Sequence, residues 1–452
     1  MEEQEKNQPK KMHGCLVALL VIFTIFAVGA SLFYGLYWYV PDGNTEANAM
    51  YERGKNCYYS CLILPAADNG WNDYSEAAKK IDLSTLQKKG ANNAPQPVYS
   101  LSTWVWSGVP PKDKDAFLKF MSINQASIDM AVKGSKKKII VPSDAPGLQN
   151  SPNNWQKMND SIQKYYDISN FLILCARQKV EEKKYKEASE LFLTALGLCR
   201  GPEPLGWGGF SRNNLFGFST DGLSKIIENA GDDKIDFKEI KTRLGQMEAE
   251  MPEISQSIDL QVFYYHQMAD FALKNSGNSG MPVYMQFLPI KAILDREMRI
   301  VDSEYVKFSK LLTLKSYECL KEVEKAEPNK KSMFFSRFCT DETKIKIQHG
   351  FANITRIRGL IIAVALREYK KDKGSYPDRL EDLVPAYLPS LPVDCMSPDG
   401  KFVYRKKSPS EVILYSFGIN LTDEGGSVAN QKRNGYGDDL VIFDVKPGKA
   451  AP

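Results

Sequence analysis

The apolar positions of this chain fall into three regimes. The first is an unbroken run, "GCLVALLVIFTIFAVGASLFYGLYWYV", residues 14–40, without a charged side chain. At about 1.5 Å per helical residue it can cross a hydrocarbon core of ~30 Å with some tilt. The second regime, residues 41–345, is mostly helical periodicity. Clusters of Pro, Gly, Asn and Ser interrupt it at 91–97, 141–152, 200–209 and 274–282. Here Asn154 predicts a cap for a helix bearing Ile162, Tyr165, Tyr166, Ile168, Phe171 and Leu172 on one face. Asp236 and Glu239 have capping-box spacing ahead of "IKTRLGQMEAEM". The third regime opens with Ile354, Ile357, Leu360, Ile361, Val364 and Ala365, a helical face within residues 350–374. Gly374 and Pro377 stop that helix. "KFVYRKK", "EVILYSFG" and "DLVIFDV" then read as short strands.

The fold class expected is α+β: an N-terminal transmembrane helix, a mainly α-helical middle domain, and a small C-terminal long-helix plus antiparallel-sheet module. The divisions are a cytoplasmic tail at 1–13, the transmembrane helix at 14–40, the helical extracytoplasmic domain at 41–345, the α+β module at 346–446 and a flexible tail at 447–452. Lys10 and Lys11 precede the apolar run, and no Lys or Arg follows it until Arg53. The positive-inside rule therefore keeps the N-terminus cytoplasmic, in the cell inner membrane, and exports the bulk of the chain. Tyr34, Tyr37, Trp38 and Tyr39 form an aromatic belt at the outer interface. A cleaved signal peptide is the competing reading, with Ala47 and Ala49 as small-residue cleavage positions. The run exceeds the ~7–15 residues of a signal h-region, which favours an uncleaved anchor. Ala27, Ser31 and Gly35 lie four apart, a stripe that would let two such helices approach as a homo-oligomer.

Composition narrows the function classes. With 43% hydrophobic and 25% charged residues the chain can bury an ordinary globular core. The net charge of +4 is spread out, and Lys136, Lys137 and Lys138, the densest basic run, carry no interleaved aromatics. That run reads as a solvated loop, and no nucleic-acid partner is expected. The eight cysteines form no CxxC, so neither a zinc ribbon nor a thioredoxin-like motif is supported. Cys57 and Cys61 share a helical face as small apolar contacts. The histidines are His13, His266 and His349, and no HExxH, GxSxG, P-loop or GxGxxG occurs. His266, in "VFYYHQMADF", reads as a satisfied interior residue rather than a catalyst. "GDDKIDFKEI", residues 231–240, fails as an EF-hand: Ala230 falls where an oxygen ligand is needed and Asp233 where the turn needs Gly.

"EKKYKEASELFLTALGLC", residues 182–199, resembles the first helix of a tetratricopeptide unit, with Tyr185, Ala188, Leu191, Phe192, Ala195 and Leu196 on its packing face. No second copy follows at a fixed period, so a single helical hairpin in an irregular bundle is expected.

The last hundred residues or so carry a second resemblance. "ALREYKKDKGSYPDRLEDL", "LPVDCMSPDGKFVYR", "LYSFGINLTDEGG" and "GDDLVIF", in that order, resemble the major pseudopilin of the type II secretion system. The layout as a whole also resembles single-pass membrane-anchored proteins of planctomycete-type bacteria, with an anchor, a helical middle and this same tail. The pseudopilin resemblance implies a Ca²⁺ site in the terminal loop, formed by Asn420, Asp423, Glu424, Asp438 and Asp439. Oxygen ligands on a glycine-kinked loop suit that ion. Asn420 stands where the family has Asp, and one extra residue precedes Gly425 and Gly426. Lys432 and Arg433 in the intervening segment would weaken cation affinity. The other reading is an acidic hairpin whose Asp side chains cap turns. Gly14 to Ala18 depart from the pilin leader, no Glu lies within the apolar run, and about three hundred residues separate that run from the module. The expectation is therefore a borrowed head on another protein, not a processed pilin. A non-enzymatic envelope role in structure or protein interaction follows, with protein partners in the cell envelope. A component of a type II secretion or pilus-like system and an envelope hydrolase without a local motif are the alternatives.

Overall fold

The computed structural model describes residues 44–62, 69–82, 84, 87–89, 95–97, 101–137, 152–198, 209–275, 290–332, 335–427 and 439–446. The expected transmembrane run at 14–40 lies outside them. No helix among the described residues is long and apolar enough to cross a membrane.

The described residues are mostly helical with a small antiparallel sheet, an α+β fold. The helices are α1 (Thr45–Leu62), α2 (Trp71–Lys79), α3 (Leu101–Ser107), α4 (Lys114–Ile123), α5 (Gln125–Ser135), α6 (Pro152–Glu181), α7 (Tyr185–Gly197), α8 (Gly209–Asn229), α9 (Phe237–Glu250), α10 (Ile254–Asn275), α11 (Ile290–Leu311), α12 (Ser316–Lys325) and α13 (Phe335–Lys373). A two-stranded ribbon, β1 (Gln87–Lys89) with β2 (Pro95–Pro97), falls partly in the segment read as a loop at 91–97. Its prolines suit a ribbon with two free edges.

Several local expectations hold. Asp236 caps α9, its side chain accepting from the Glu239 N–H at 3.0 Å. Tyr185, Ala188, Leu191, Phe192, Ala195 and Leu196 are all buried on α7, which packs against α6. Of the face expected on α6, Ile168, Phe171 and Leu172 are buried. Asn154, however, is inside α6 and not its cap. The helix starts at Pro152, where a fixed φ and a missing N–H cost nothing.

α13 is 39 residues long, about 58 Å. It starts well upstream of the apolar face at 350–374, and its first turns invert the usual pattern. Ser336, Thr340 and Thr343 are buried there while Phe338 and Ile345 are exposed. Each buried hydroxyl has a partner: Ser336 Oγ accepts from Asn329 N at 2.7 Å, Thr343 donates to the Cys339 carbonyl at 2.7 Å, and Thr340 donates to Glu304 at 3.3 Å. Helix propagation thus carries the element across residues 345 and 346 without a break. Phe171, Leu223, Leu244, Val364, Leu414 and Phe443 belong to one continuous buried cluster. Body and sheet share a core.

The sheet runs β3 (Val403–Ser408), β4 (Glu411–Ser416), β5 (Leu440–Val445), antiparallel throughout and in that order. These are the three strands expected. β4 is central, with Val412 to Ser416 buried. β5 lies against α13 at Gly359, where a Cβ would sit 2.1 Å from Ile442 Cδ1. Only a residue without a side chain lets the strand approach so closely. The outer edge of β5 is closed by side chains of α8. Ser224 donates to the Ile442 carbonyl, and Glu228 accepts from the Asp444 N–H at 2.9 Å. An open strand edge is covered in this way.

Arg367, buried on α13, reaches the C-terminal end of α8. It donates to the carbonyls of Ile227, Glu228 and Ala230 and, at 2.6 Å, to Asp232 Oδ1. Its guanidinium also lies 5.3 Å from the Phe237 ring centroid. The last carbonyls of a helix have no partner within it, and a cation there meets the negative end of the dipole. Arg367→Met is expected to lower the unfolding free energy by about 3 kcal/mol, because it strands several buried acceptors at once. Asp232→Asn removes only the half-exposed ionic partner and should cost less than about 1 kcal/mol. Urea titration of both variants checks the contrast, and equal losses would overturn it.

Candidate functional site

The loop after β4 is built by glycine and by one left-handed leucine. Leu421 has φ +59°, and Gly425 and Gly426 follow at +78° and +82°. A Cβ on Gly426 would lie 2.6 Å from Ile413 Cδ1, so this position is closed to a side chain by space as well as by φ. These kinks bring the acidic residues back over the end of the sheet. Asp423 Oδ1 accepts from the Tyr415 hydroxyl at 2.9 Å and from the Gly425 N–H at 2.8 Å. Its Oδ2 lies 3.6 Å from Arg405, whose guanidinium packs 5.3 Å from the Tyr415 ring centroid. Burial, aided by the bond to Asp423, pushes the Tyr415 phenol well above its usual range.

The sequence-predicted residues meet only in part. Asn420 Nδ2 donates to Glu424 Oε1 at 2.6 Å, and Asn420 Oδ1 accepts from the Thr422 N–H at 3.1 Å. Asp439, fully buried, accepts from the Gly426 N–H through Oδ2 at 2.6 Å. Asp438 lies outside the described residues. Asn420 with Glu424, and Asp423 with Asp439 through the Gly425–Gly426 backbone, form two small hydrogen-bonded groups. Among the described residues no set of three or more His, Cys, Asp and Glu side chains converges as a metal cage. The donor atoms are of the kind Ca²⁺ takes, and one of them is orphaned: Asp439 Oδ1 is buried without a hydrogen-bond partner.

A second carboxyl group, not nominated from the sequence, organises the "LPVDCMSPDG" turn. Asp394 is buried, and its Oδ1 accepts from the Met396 N–H at 2.8 Å and the Ser416 hydroxyl at 2.9 Å. The turn is fixed to α13 by Thr355, which accepts from the Cys395 N–H, and by Arg358, which donates to the Val393 carbonyl at 2.9 Å. Burial pushes the Asp394 carboxyl up to about 6, the hydrogen bonds only partly offsetting it. The legible signal was an Asp two residues before an N–H in a Pro-bounded turn, which is Asx-turn chemistry.

His266 pairs with Asp302, Nε2 to Oδ1 at 2.8 Å, and Tyr51 packs edge-on with ring centroids 5.3 Å apart. Among the described residues no hydroxyl or thiol is hydrogen-bonded to this imidazole. His349 is buried on α13, and desolvation, then Arg356, lowers it to about 4. Cys57 is half-buried, and the side chain of Cys61 lies outside the described residues. Compared with known proteins, the chain matches no family model, no curated protein and no solved structure.

Two opposing pH effects follow. Asp394 holds its proton to about 6 when folded against 3.8 ordinarily, so its contribution is complete below about pH 4 and is lost as pH rises through 6. His349, neutral when folded down to about 4 against 6.5, contributes above pH 6.5 and loses that as pH falls through 4. Asp394→Asn removes the first effect alone. The stability difference, wild type minus variant, is expected to grow by on the order of 2–3 kcal/mol from pH 7 to pH 4. Urea unfolding at both pH values measures it, and a pH-independent difference would refute the assignment.

Proposed function

We propose that this chain is a membrane-anchored envelope protein with a non-enzymatic role in structure or protein interaction. Its C-terminal unit is a pseudopilin-like head borrowed by a larger helical body. The observation that carries the reading is the C-terminal order: one long helix, a Tyr-Pro break, an Asp-centred turn, three antiparallel strands and a glycine-kinked acidic loop. The uncharged run at 14–40 and the lysines ahead of it support an anchor with its N-terminus in the cytoplasm. In the body the two described histidines make internal contacts, as the reading of His266 as an interior residue expects. His266 is paired with Asp302, and His349 is held neutral by burial.

The orientation is tested with reporters fused after Pro452. Alkaline phosphatase is expected to be active there and green fluorescent protein dark. The reverse pattern would overturn both the anchor and the export of the body.

The acidic loop takes Ca²⁺ as its stiffening ion in this reading, through Asp439 Oδ1 with Asn420, Asp423, Glu424, Asp438 and the loop carbonyls. Millimolar Ca²⁺ is expected to raise the melting temperature, by an amount matching about 2–3 kcal/mol at a hundredfold excess over Kd. Asp439→Asn should abolish the shift, and Mg²⁺, which keeps its waters, should not reproduce it. A melting temperature indifferent to Ca²⁺ and to chelator would leave the acidic hairpin as a purely hydrogen-bonded turn.

A further inference from the structure

Away from the acidic loop, three elements enclose a cleft of about 890 Å³. The turn between α6 and α7, where Lys183 takes φ +58°, forms one wall. Residues 233–241, at the start of α9, form the second, and the end of α13 with Ala386 and Tyr387 forms the third. Tyr185, Ile235 and Phe237 are buried beneath it. A volume of this size lies within the ~300–1,000 Å³ typical of small-ligand sites.

Its lining carries more positive than negative charge. Seven lysines and five carboxyl groups line it, and two of the carboxyl groups are paired with a lysine. Glu187 pairs with Lys179 at 2.6 Å, and Glu368 pairs with Lys241. Asp372 accepts from the Tyr387 hydroxyl at 3.0 Å and Asp236 caps α9, neutral donors that leave these two carboxylates, like Asp233, uncompensated. Against these three stand Lys186, Lys234, Lys238 and Lys371, all exposed and, among the described residues, none in an ion pair. These four cations face one concavity from all three walls. At its edge α7 begins at Tyr185 and the preceding Lys184 supplies no side-chain cap, so the positive end of a 13-residue helix is added to theirs.

We propose that this cleft binds a soluble small molecule carrying several phosphate groups. Lysine ammonium groups bind phosphate as point charges. Their distribution over three walls matches several anionic groups on one compact ligand. The Tyr185 and Phe237 rings at the site are buried and offer no stacking platform for bases.

The test is calorimetric titration of the detergent-solubilised full chain with tripolyphosphate. Lys186→Gln, Lys238→Gln and Lys371→Gln are combined in one variant. A charge-matched control combines Lys119→Gln, Lys330→Gln and Lys401→Gln, which lie outside the cleft. Because the three cleft lysines are exposed and unpaired, matching melting temperatures verify that the variant is folded. Tripolyphosphate is expected to bind the wild type, with affinity falling at least about tenfold in the cleft variant and unchanged in the control. Three results would overturn the proposal: no binding up to ~10 mM, equal losses in both variants, or co-sedimentation with phosphatidylglycerol vesicles without tripolyphosphate binding.

Discussion

A buried guanidinium must find acceptors for its five N–H groups, and a helix end must find donors for its last carbonyls. In this protein the two requirements meet at Arg367 and the C-terminus of α8. The contact does more than fill valences. α8 also closes the edge of β5 through Ser224 and Glu228, and α13 receives β5 at Gly359. Arg367 therefore sets the distance between the two helices that hold the sheet from opposite sides. Its stacking on Phe237 extends the same junction to α9. A hydrophobic contact would tolerate small sliding of α13 along α8. A set of directed bonds to the carbonyls of Ile227, Glu228 and Ala230 does not.

How much of this was legible follows from where chemistry agrees with periodicity. Residues 350–374 have a clean apolar face, and the strands after them alternate or run apolar as buried strands should. The helix and all three strands were therefore readable. Residues 335–349 were not, because the buried face there mixes Ser336, Thr340 and Thr343 with Cys339 and Ile347 while Phe338 and Ile345 look outward. Hydroxyls that bond to a carbonyl one turn back, or to a buried Glu304, satisfy themselves locally, and no pattern of hydrophobicity reports it. The division at residues 345 and 346 was drawn on that same inverted stretch. α6 shows the lesser form of the problem: Pro152 and Asn154 are both plausible openings, and only the backbone distinguishes a first helical residue from a cap.

The acidic loop was legible as a composition and not as a geometry. Glycines and carboxyl groups at those spacings announce a kinked loop. They do not say whether the carboxyl oxygens will turn toward one another or toward nearby N–H groups. Asp423 is decided by Tyr415 and Arg405, residues on neighbouring strands whose relevance depends on the register of β3 against β4. The lysine cleft was invisible for a similar reason. Its cations come from three segments, around Lys186, Lys234 and Lys371, that only the fold brings to one concavity.

Three carboxyl groups gather near the end of β4, and the protein accommodates each differently. Asp394 keeps its proton to higher pH, because it has hydrogen-bond donors but no cation among its partners. Asp423 lies closer to solvent and meets Arg405. Asp439, as buried as Asp394, accepts from the Gly426 N–H, and in each of the two one carboxyl oxygen has no hydrogen-bond partner. An oxygen in that position costs free energy unless something arrives to meet it, since burial removes the water that would otherwise serve. At Asp439 a divalent ion would meet it and would draw the groups around Asn420 and Asp423 toward a common centre.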